Sequence, residues 1–276
     1  MQHKKRWPAR LILLTLCCTI ARADDRRLIE TELRKTYDNY VLSLKTPYTS
    51  EKLRFDSNGQ LVGTSPVSVW TTSGVLQVAK IALKTNVLQI DGKRILVALR
   101  SGQGSSTLVP IITARSVRIT IDLESATSNI DQLNRAIEQV FQAQDTSKRM
   151  AAYWRPVQKD QATGTFPAGA DVIGVLDGNR PVYRVRSGII PPRPVHMEQP
   201  TFTQSAREKS VQGLAVVSVV VNEKGFPEIL ELTNDLGEGL DIESLLTAAQ
   251  WRFHPAVLNG QPVAVQITLE VSFHLY

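Results

Sequence analysis

Residues 214–233 read LAVVSVVVNEKGFPEILELT: an apolar valine-rich run, a turn and a return arm. β-Branched residues suit a buried strand, and Asn222-Glu223-Lys224-Gly225 supplies turn formers with a glycine for positive φ. In the return arm Ile229, Glu231 and Thr233 alternate with Glu228, Leu230 and Leu232, the period of a strand with two unlike faces. Gly237 and Gly239 then break it. Ile242, Leu245, Leu246 and Ala249 fall at i, i+3, i+4 and i+7, which predicts a helix of about three turns with one apolar stripe facing a core. Asp241 and Glu243 lie where the N-terminal dipole favours acids, and Pro255 forbids continuation of the helix past Trp251 and Phe253. After Asn259-Gly260, residues 263–275 make one last long strand. The helix crossover lets strands two and three run parallel with strand one between them, which places the last strand at an edge.

Particular residues carry this pattern: Gln199-Pro200 with Phe202, Ala206-Arg207, Gly213, the valine strand, Gly225, Leu240-Asp241 and Trp251-Arg252-Phe253-His254-Pro255. The tail Gly260-Gln261-Pro262-Val263 completes it. In order and spacing the segment resembles the C-terminal domain of TonB-type energy transducers, the periplasmic domain that grips outer-membrane transporters. The resemblance implies a partner, an outer-membrane transporter or another envelope protein, whose extended segment adds a strand along the last strand of the domain. In this chain that stretch would be Val263, Ala264, Val265, Gln266, Ile267, Thr268 and Leu269, and the resemblance implies that Gln199 of the Gln-Pro motif reaches the same peptide with Phe202 near it. The family's Tyr-Pro is replaced here by Phe202-Thr203, so the partner's sequence is expected to differ from the usual one. The long Pro-, Glu- and Lys-rich linker with which a full transducer crosses the periplasm is not in the sequence.

The 276 residues, 42% of them hydrophobic, suffice for about two domains with ordinary cores. A formal net charge of +6 invites a nucleic-acid reading, but Lys4, Lys5, Arg6, Arg10 and Arg22 fall in the first 23 residues, which hold no acid. The remainder is close to neutral and shows no basic stripe, so no nucleic-acid partner is expected. Those 23 residues carry a charged start, an apolar run over 11–21 and the small-x-small end Ala21-Arg22-Ala23, the pattern of a signal peptide. The run is about 11 residues against the roughly 20 that a spanning helix needs. A periplasmic protein released by cleavage is the expectation, and an inner-membrane anchor through an uncleaved leader the alternative. Both cysteines, Cys17 and Cys18, lie in that run, which leaves the mature chain without disulfide or thiolate chemistry.

From residue 24 to about 45, Leu28, Leu33, Tyr37, Val41 and Leu44 repeat at helical spacing. Strands follow: 53–62 pivoting on Asp56-Ser57-Asn58-Gly59, a short one at 67–70, and a longer one at 75–83. Residues 87–90 and 94–99 flank Asp91-Gly92, which fits a type I′ hairpin turn. Val117, Ile119, Ile121 and Leu123 alternate with polar residues. Ser128 with Asp131 caps a helix whose stripe is Ile130, Leu133, Ile137, Val140 and Phe141, ending near Gln144. Residues 24–145 thus form an N-terminal α+β domain of antiparallel strands flanked by helices, of no recognised family. Residues 146–193 are an irregular, proline-marked connector holding one short hairpin, 172–176 with 182–185, which must lean on a neighbour because a lone hairpin is marginally stable. The C-terminal domain spans 194–276.

No catalytic motif is present: there is no Gly-x-Ser-x-Gly, Ser-x-x-Lys, His-Glu-x-x-His or P-loop, and Gly102-Gln103-Gly104 lacks a third glycine. His196, His254 and His274 have no metal-pair spacing. No enzyme activity, metal, cofactor or small-molecule substrate is expected. Trp251 and Phe253 read first as core anchors. Two functions stay open. One is a TonB-like periplasmic module that binds an extended envelope peptide, linked to transmembrane transport. The other is a structural or assembly protein that uses the domain to form a homodimer or to hold the N-terminal domain in place.

Overall fold

The computed structural model describes residues 23–102, 105–124, 129–142, 145–157, 171–186 and 188–275, and all of the expected signal peptide but its last residue, Ala23, lies outside them. The chain is α+β, as its sequence implies. In its first part α1 (Ala23–Tyr37) sends Leu33 and Tyr37 into a core. The helix stops short of residue 45, because Asn39 takes φ 61 and the chain turns into β1 (Val41–Ser43). Val41 therefore lies on a strand, and Leu44 bridges to Phe141. β2 (Lys52–Phe55) runs into the foreseen pivot, where the Asp56 carboxylate accepts from the backbone N–H of Asn58 and Gln60.

A short helix, α2 (Trp70–Ser73), stands where a strand was expected to end. β3 (Val75–Lys84), β4 (Val87–Gly102) and β5 (Ser105–Asp122) then make an antiparallel meander, in a sheet of order β1-β3-β4-β5-β2. The hairpin expected on Asp91-Gly92 is not there: β4 runs straight through both residues. A Cβ on Gly92 would lie 2.5 Å from the Gln77 carbonyl oxygen, and the β3 pairing shifts register between Val78 and Lys80. The glycine permits a bulge and a close backbone approach, which Asp-Gly can signal as readily as a turn. α3 (Ile130–Val140) is capped by Asn129, whose Oδ1 accepts from the Gln132 backbone N–H while the Asn129 backbone N–H donates to Gln132 Oε1, a capping box. Ser128, the expected cap, lies outside the described residues.

The connector is more structured than its composition implies. It holds α4 (Thr146–Tyr153), β6 (Trp154–Pro156), β7 (Val172–Leu176), β8 (Arg180–Arg184) and β9 (Ile189–Ile190). β7 and β8 are the hairpin foreseen, closed over Asp177 and Gly178 at positive φ. The proline cluster then enters β10 (Arg193–His196), followed by α5 (Gln204–Glu208).

The last part contains β11 (Gly213–Val221), β12 (Pro227–Asn234), α6 (Leu240–Gln250), β13 (Arg252–His254), β14 (Ala256–Leu258) and β15 (Gln261–Phe273). β11 lies between β12 and β15, antiparallel to both, as expected. α6 buries Leu240, Leu245, Ala248 and Ala249, while Ile242 of the predicted stripe is 40% exposed.

One expectation is overturned. β15 is not a free edge over its first half, because β8 pairs with it in parallel at Ala264, Val265 and Gln266, giving the order β12-β11-β15-β8-β7-β6. The hairpin needs cover on both faces, and β15 is where it finds it. On one face Val182 and Leu176 are buried with Trp70, Ile95, Tyr153, Val220, Ile229 and Ala264, a core drawn from all three parts of the chain. On the other Tyr183 and Val172 are buried with Ala256 and Val265. Leu96 and Ala98 of β4 enter the core beneath α6 as well.

Candidate functional site

β15 is the strand on which the expected partner residues lie, and its surroundings change along its length. Val263 pairs with Ala256 of β14. Val265 pairs with Val221 of β11 and also with Tyr183 of β8, and Gln266 with Val220 and Arg184. Past Gln266 the situation changes: over residues 267–273 β15 keeps β11 on one side and has no other strand beside it among the described residues. Leu269, Val271 and Phe273 turn into the core there, and Thr268 and Glu270 are exposed. Of the expected site residues, then, Ile267, Thr268 and Leu269 lie on an open edge, while Ala264, Val265 and Gln266 are already paired.

Phe202 is half-buried and meets Phe273 edge-on, with ring centroids 5.4 Å apart, so it flanks the far end of the open edge. Thr203, which departs from the family's proline, has a role of its own. Its Oγ1 accepts from the backbone N–H of Ala206 as the N-cap of α5, and donates to the Glu238 carbonyl at 2.7 Å. Threonine ahead of a short helical run is a readable cap, and the sequence reading missed it. Gln199 is exposed, and no hydrogen bond joins it to β15 among the described residues. Its neighbour Glu198 offers its carbonyl to the Trp251 indole N–H at 2.9 Å, which fastens the Gln-Pro run to the Trp-Arg-Phe-His motif.

That motif is tied into the fold at each residue. Trp251 and Phe253 are buried, and β13 pairs with β10. The Phe253 N–H donates to the Gly225 carbonyl at 3.0 Å, so the turn of the first hairpin rests on β13. The Arg252 guanidinium donates to the carbonyls of Ala249, Gln250 and Trp251 at the end of α6 and lies 4.6 Å from the centre of the Phe226 ring. A cation there satisfies helix-end carbonyls and complements the dipole.

A buried polar cluster secures β8. Glu228 of β12 is 3% exposed and receives a forked hydrogen bond from Arg180, Nη2 to Oε1 at 2.5 Å and Nη1 to Oε2 at 3.0 Å. The Tyr153 hydroxyl donates to Oε1 and Asn222 Nδ2 to Oε2, while Thr71 donates to the Glu228 carbonyl. Burial by itself raises the Glu228 carboxyl, but the bonds and charge of Arg180, with Tyr153 and Asn222, hold it below the ordinary glutamate value. Burial first, and then the charge of Glu228, push the Tyr153 hydroxyl up. No local signal marked this cluster, whose members lie on α2, α4, β8, β12 and the turn between β11 and β12. The histidines stand apart: His196 pairs with Glu198, and His274 with Ser272.

A profile of the family described as Gram-negative bacterial TonB protein C-terminal matches residues 198–275. These residues form a TonB C-terminal domain. A curated relative, Protein TonB of Vibrio cholerae serotype O1, is 31% identical over 78 residues, which is 28% of this chain and 32% of the relative. The chain thus spans about a third of the length of the curated relative it matches. The solution NMR structure of the Pseudomonas aeruginosa TonB CTD is 23% identical, covering 33% of this chain and 89% of that one, at a TM-score of 0.27. The TonB C-terminal domain here carries the open edge at 267–273, with β8 seated directly before it. No helix among the described residues is long and apolar enough to cross a membrane.

Proposed function

We propose that the protein is a periplasmic TonB-like module that binds an extended segment of an outer-membrane transporter, or of another envelope protein, by strand addition, in the service of transport across the outer membrane. The observation that carries this reading is the open edge of β15 at 267–273, set in a TonB C-terminal domain. An edge strand offers unpaired N–H and C=O groups in register, and an extended peptide satisfies them while its alternate side chains read the flanking surface. Phe202 flanks this surface through Phe273, and Gln199 is exposed within the neighbouring run. Export by a cleaved leader places the module in the periplasm.

The assembly reading draws on a different observation, the core shared by Trp70, Tyr153, Leu176, Val182, Val220 and Ala264, which fastens the TonB C-terminal domain to the rest of the chain. On that reading the domain is a clamp for the N-terminal part. Affinity capture from envelope extract with the purified chain separates the two. Recovery of outer-membrane transporters, competed by peptides from their N-terminal periplasmic segments, supports the transport reading. Recovery of none, with a chain that self-associates or stays alone, supports assembly.

A further inference from the structure

We infer that β8 is a permanent occupant of the first half of the domain's strand-addition edge, so that an entering segment meets only residues 267–273 and is selected there by Glu270. This rests on the strand-addition reading above and narrows it.

β8 is fixed in three independent ways. Its backbone is paired with β15 through Val182, Tyr183 and Arg184. Its side chains are buried on both faces of the sheet, Val182 fully and Tyr183 to within 5%. At its start, Arg180 grips the buried Glu228. A peptide that offers backbone hydrogen bonds alone gains nothing by exchanging with such a strand, since the bonds it would make are already made and the two buried faces would be lost. Beyond Arg184 the chain leaves β15: Arg184 and Arg186 both pair with Asp171, and Ile189 and Ile190 pair with β14. The row that β8 begins is therefore open from residue 267 onward.

The side chains of that row define what fits. Leu269, Val271 and Phe273 face the core, while Thr268 and Glu270 are exposed on the other face. Glu270 lies opposite Val216 of β11, so its cross-strand neighbour on the inner side is apolar, and no ion pair engages it among the described residues. A strand added on the outer side places one side chain directly across from Glu270, within reach of a cross-strand pair. The partner is an extended segment that alternates apolar with polar residues and carries Lys or Arg at the position facing Glu270.

Two measurements test this. Hydrogen exchange on the full chain without peptide is expected to find residues 180–184 and 264–266 as slow as β11, and unchanged when the register partners are joined as a Tyr183→Cys/Val265→Cys disulfide. Exchange of β8 and of 264–266 at least tenfold ahead of β11 overturns permanent occupancy. If the double-cysteine variant does not fold, the exchange of the parent chain decides the point alone. For selection, the probes are two short labelled peptides alternating valine with threonine, one bearing lysine and the other glutamate at the centre. The lysine peptide is expected to bind about fivefold tighter, with the order reversed by Glu270→Lys. Equal or opposite preference overturns the role of Glu270. Binding of neither peptide also overturns that role, and if transporter segments fail as well the strand-addition reading goes with it. The exchange result on β8 stands in either case.

Discussion

A Cβ on Gly225 would lie 1.8 Å from the carbonyl oxygen of Phe253, so at this glycine the hairpin turn and β13 meet backbone to backbone. Gly225 also takes φ 79, where a side chain is strained whatever the space. Gly225→Ala must therefore move β13 or open the turn. The expected cost is about 3 kcal/mol or more, from the strain of the left-handed residue together with the displaced strand, and urea denaturation measures it.

Arg180→Ala leaves Glu228 charged, buried and served only by Tyr153 and Asn222. Removing one partner of a buried pair costs roughly 3–5 kcal/mol, and the partial exposure of Arg180 places this case at about 3 kcal/mol. Exchange of β8 is expected to accelerate in this variant ahead of that of β11.

The same cluster sets a pH dependence. The folded Glu228 carboxyl lies below the ordinary value of 4.5, so the stability it contributes is fully present above that value and is lost as pH falls through the folded one. The parent chain is expected to lose stability below about pH 4.5 more steeply than Glu228→Gln, which has no carboxyl to protonate there. Denaturation midpoints at neutral pH and at successive acid steps give the two slopes, and identical slopes refute the assignment.

Trp251→Phe removes the indole N–H that holds the Glu198 carbonyl and leaves that acceptor without its partner. A loss of about 1–2 kcal/mol is expected, from the missing hydrogen bond and the smaller ring. Amides over 197–200 should exchange faster while those of β11 keep their rate, which distinguishes a freed Gln-Pro run from general loosening.

Proline substitution along β15 discriminates the paired from the open stretch. Val265→Pro falls between β11 and β8 and is expected to abolish cooperative folding. Of Ile267→Pro and Thr268→Pro, one removes a donor to β11 and the other a donor on the open side. The second should melt close to the parent and bind transporter segments less tightly. If both fold normally and bind as the parent does, strand addition at this edge is the wrong mechanism.

The C-terminal domain was legible because its signals are local: the valine run, the glycine of the turn and the residues around Trp251 each act within a few positions of themselves. The connector hairpin was legible for the same reason, closed as it is over Asp177 and Gly178. Its seat was not. Tyr183 and Val265 are far apart in sequence, and neither carries a mark of the other, so the edge of β15 was read as free along its whole length. Asp91-Gly92 misled because a glycine needed for close approach to Gln77 has the same letters as one needed for a turn. The stripe of α1 was extended past Asn39 because Val41 and Leu44 keep a helical spacing by coincidence while serving the start of a sheet. The Glu228 cluster gathers Tyr153, Arg180 and Asn222 from separate elements, and only the packing of three parts of the chain brings them together.

The core that joins Trp70, Tyr153, Val182 and Ala264 also decides how the molecule answers a pull. Strands drawn along their length share the strain over every hydrogen bond at once, and strands peeled from one end give way bond by bond. Around Val265, β15 is flanked by β11 and β8, so tension along it is taken up on both sides. Because Val182 of β8 shares a core with Trp70, Tyr153 and Ile95 of β4, that packing links β8 sideways to the N-terminal sheet. Tension applied along β15 thus has a route through packed side chains as well as through the backbone between β8 and β10.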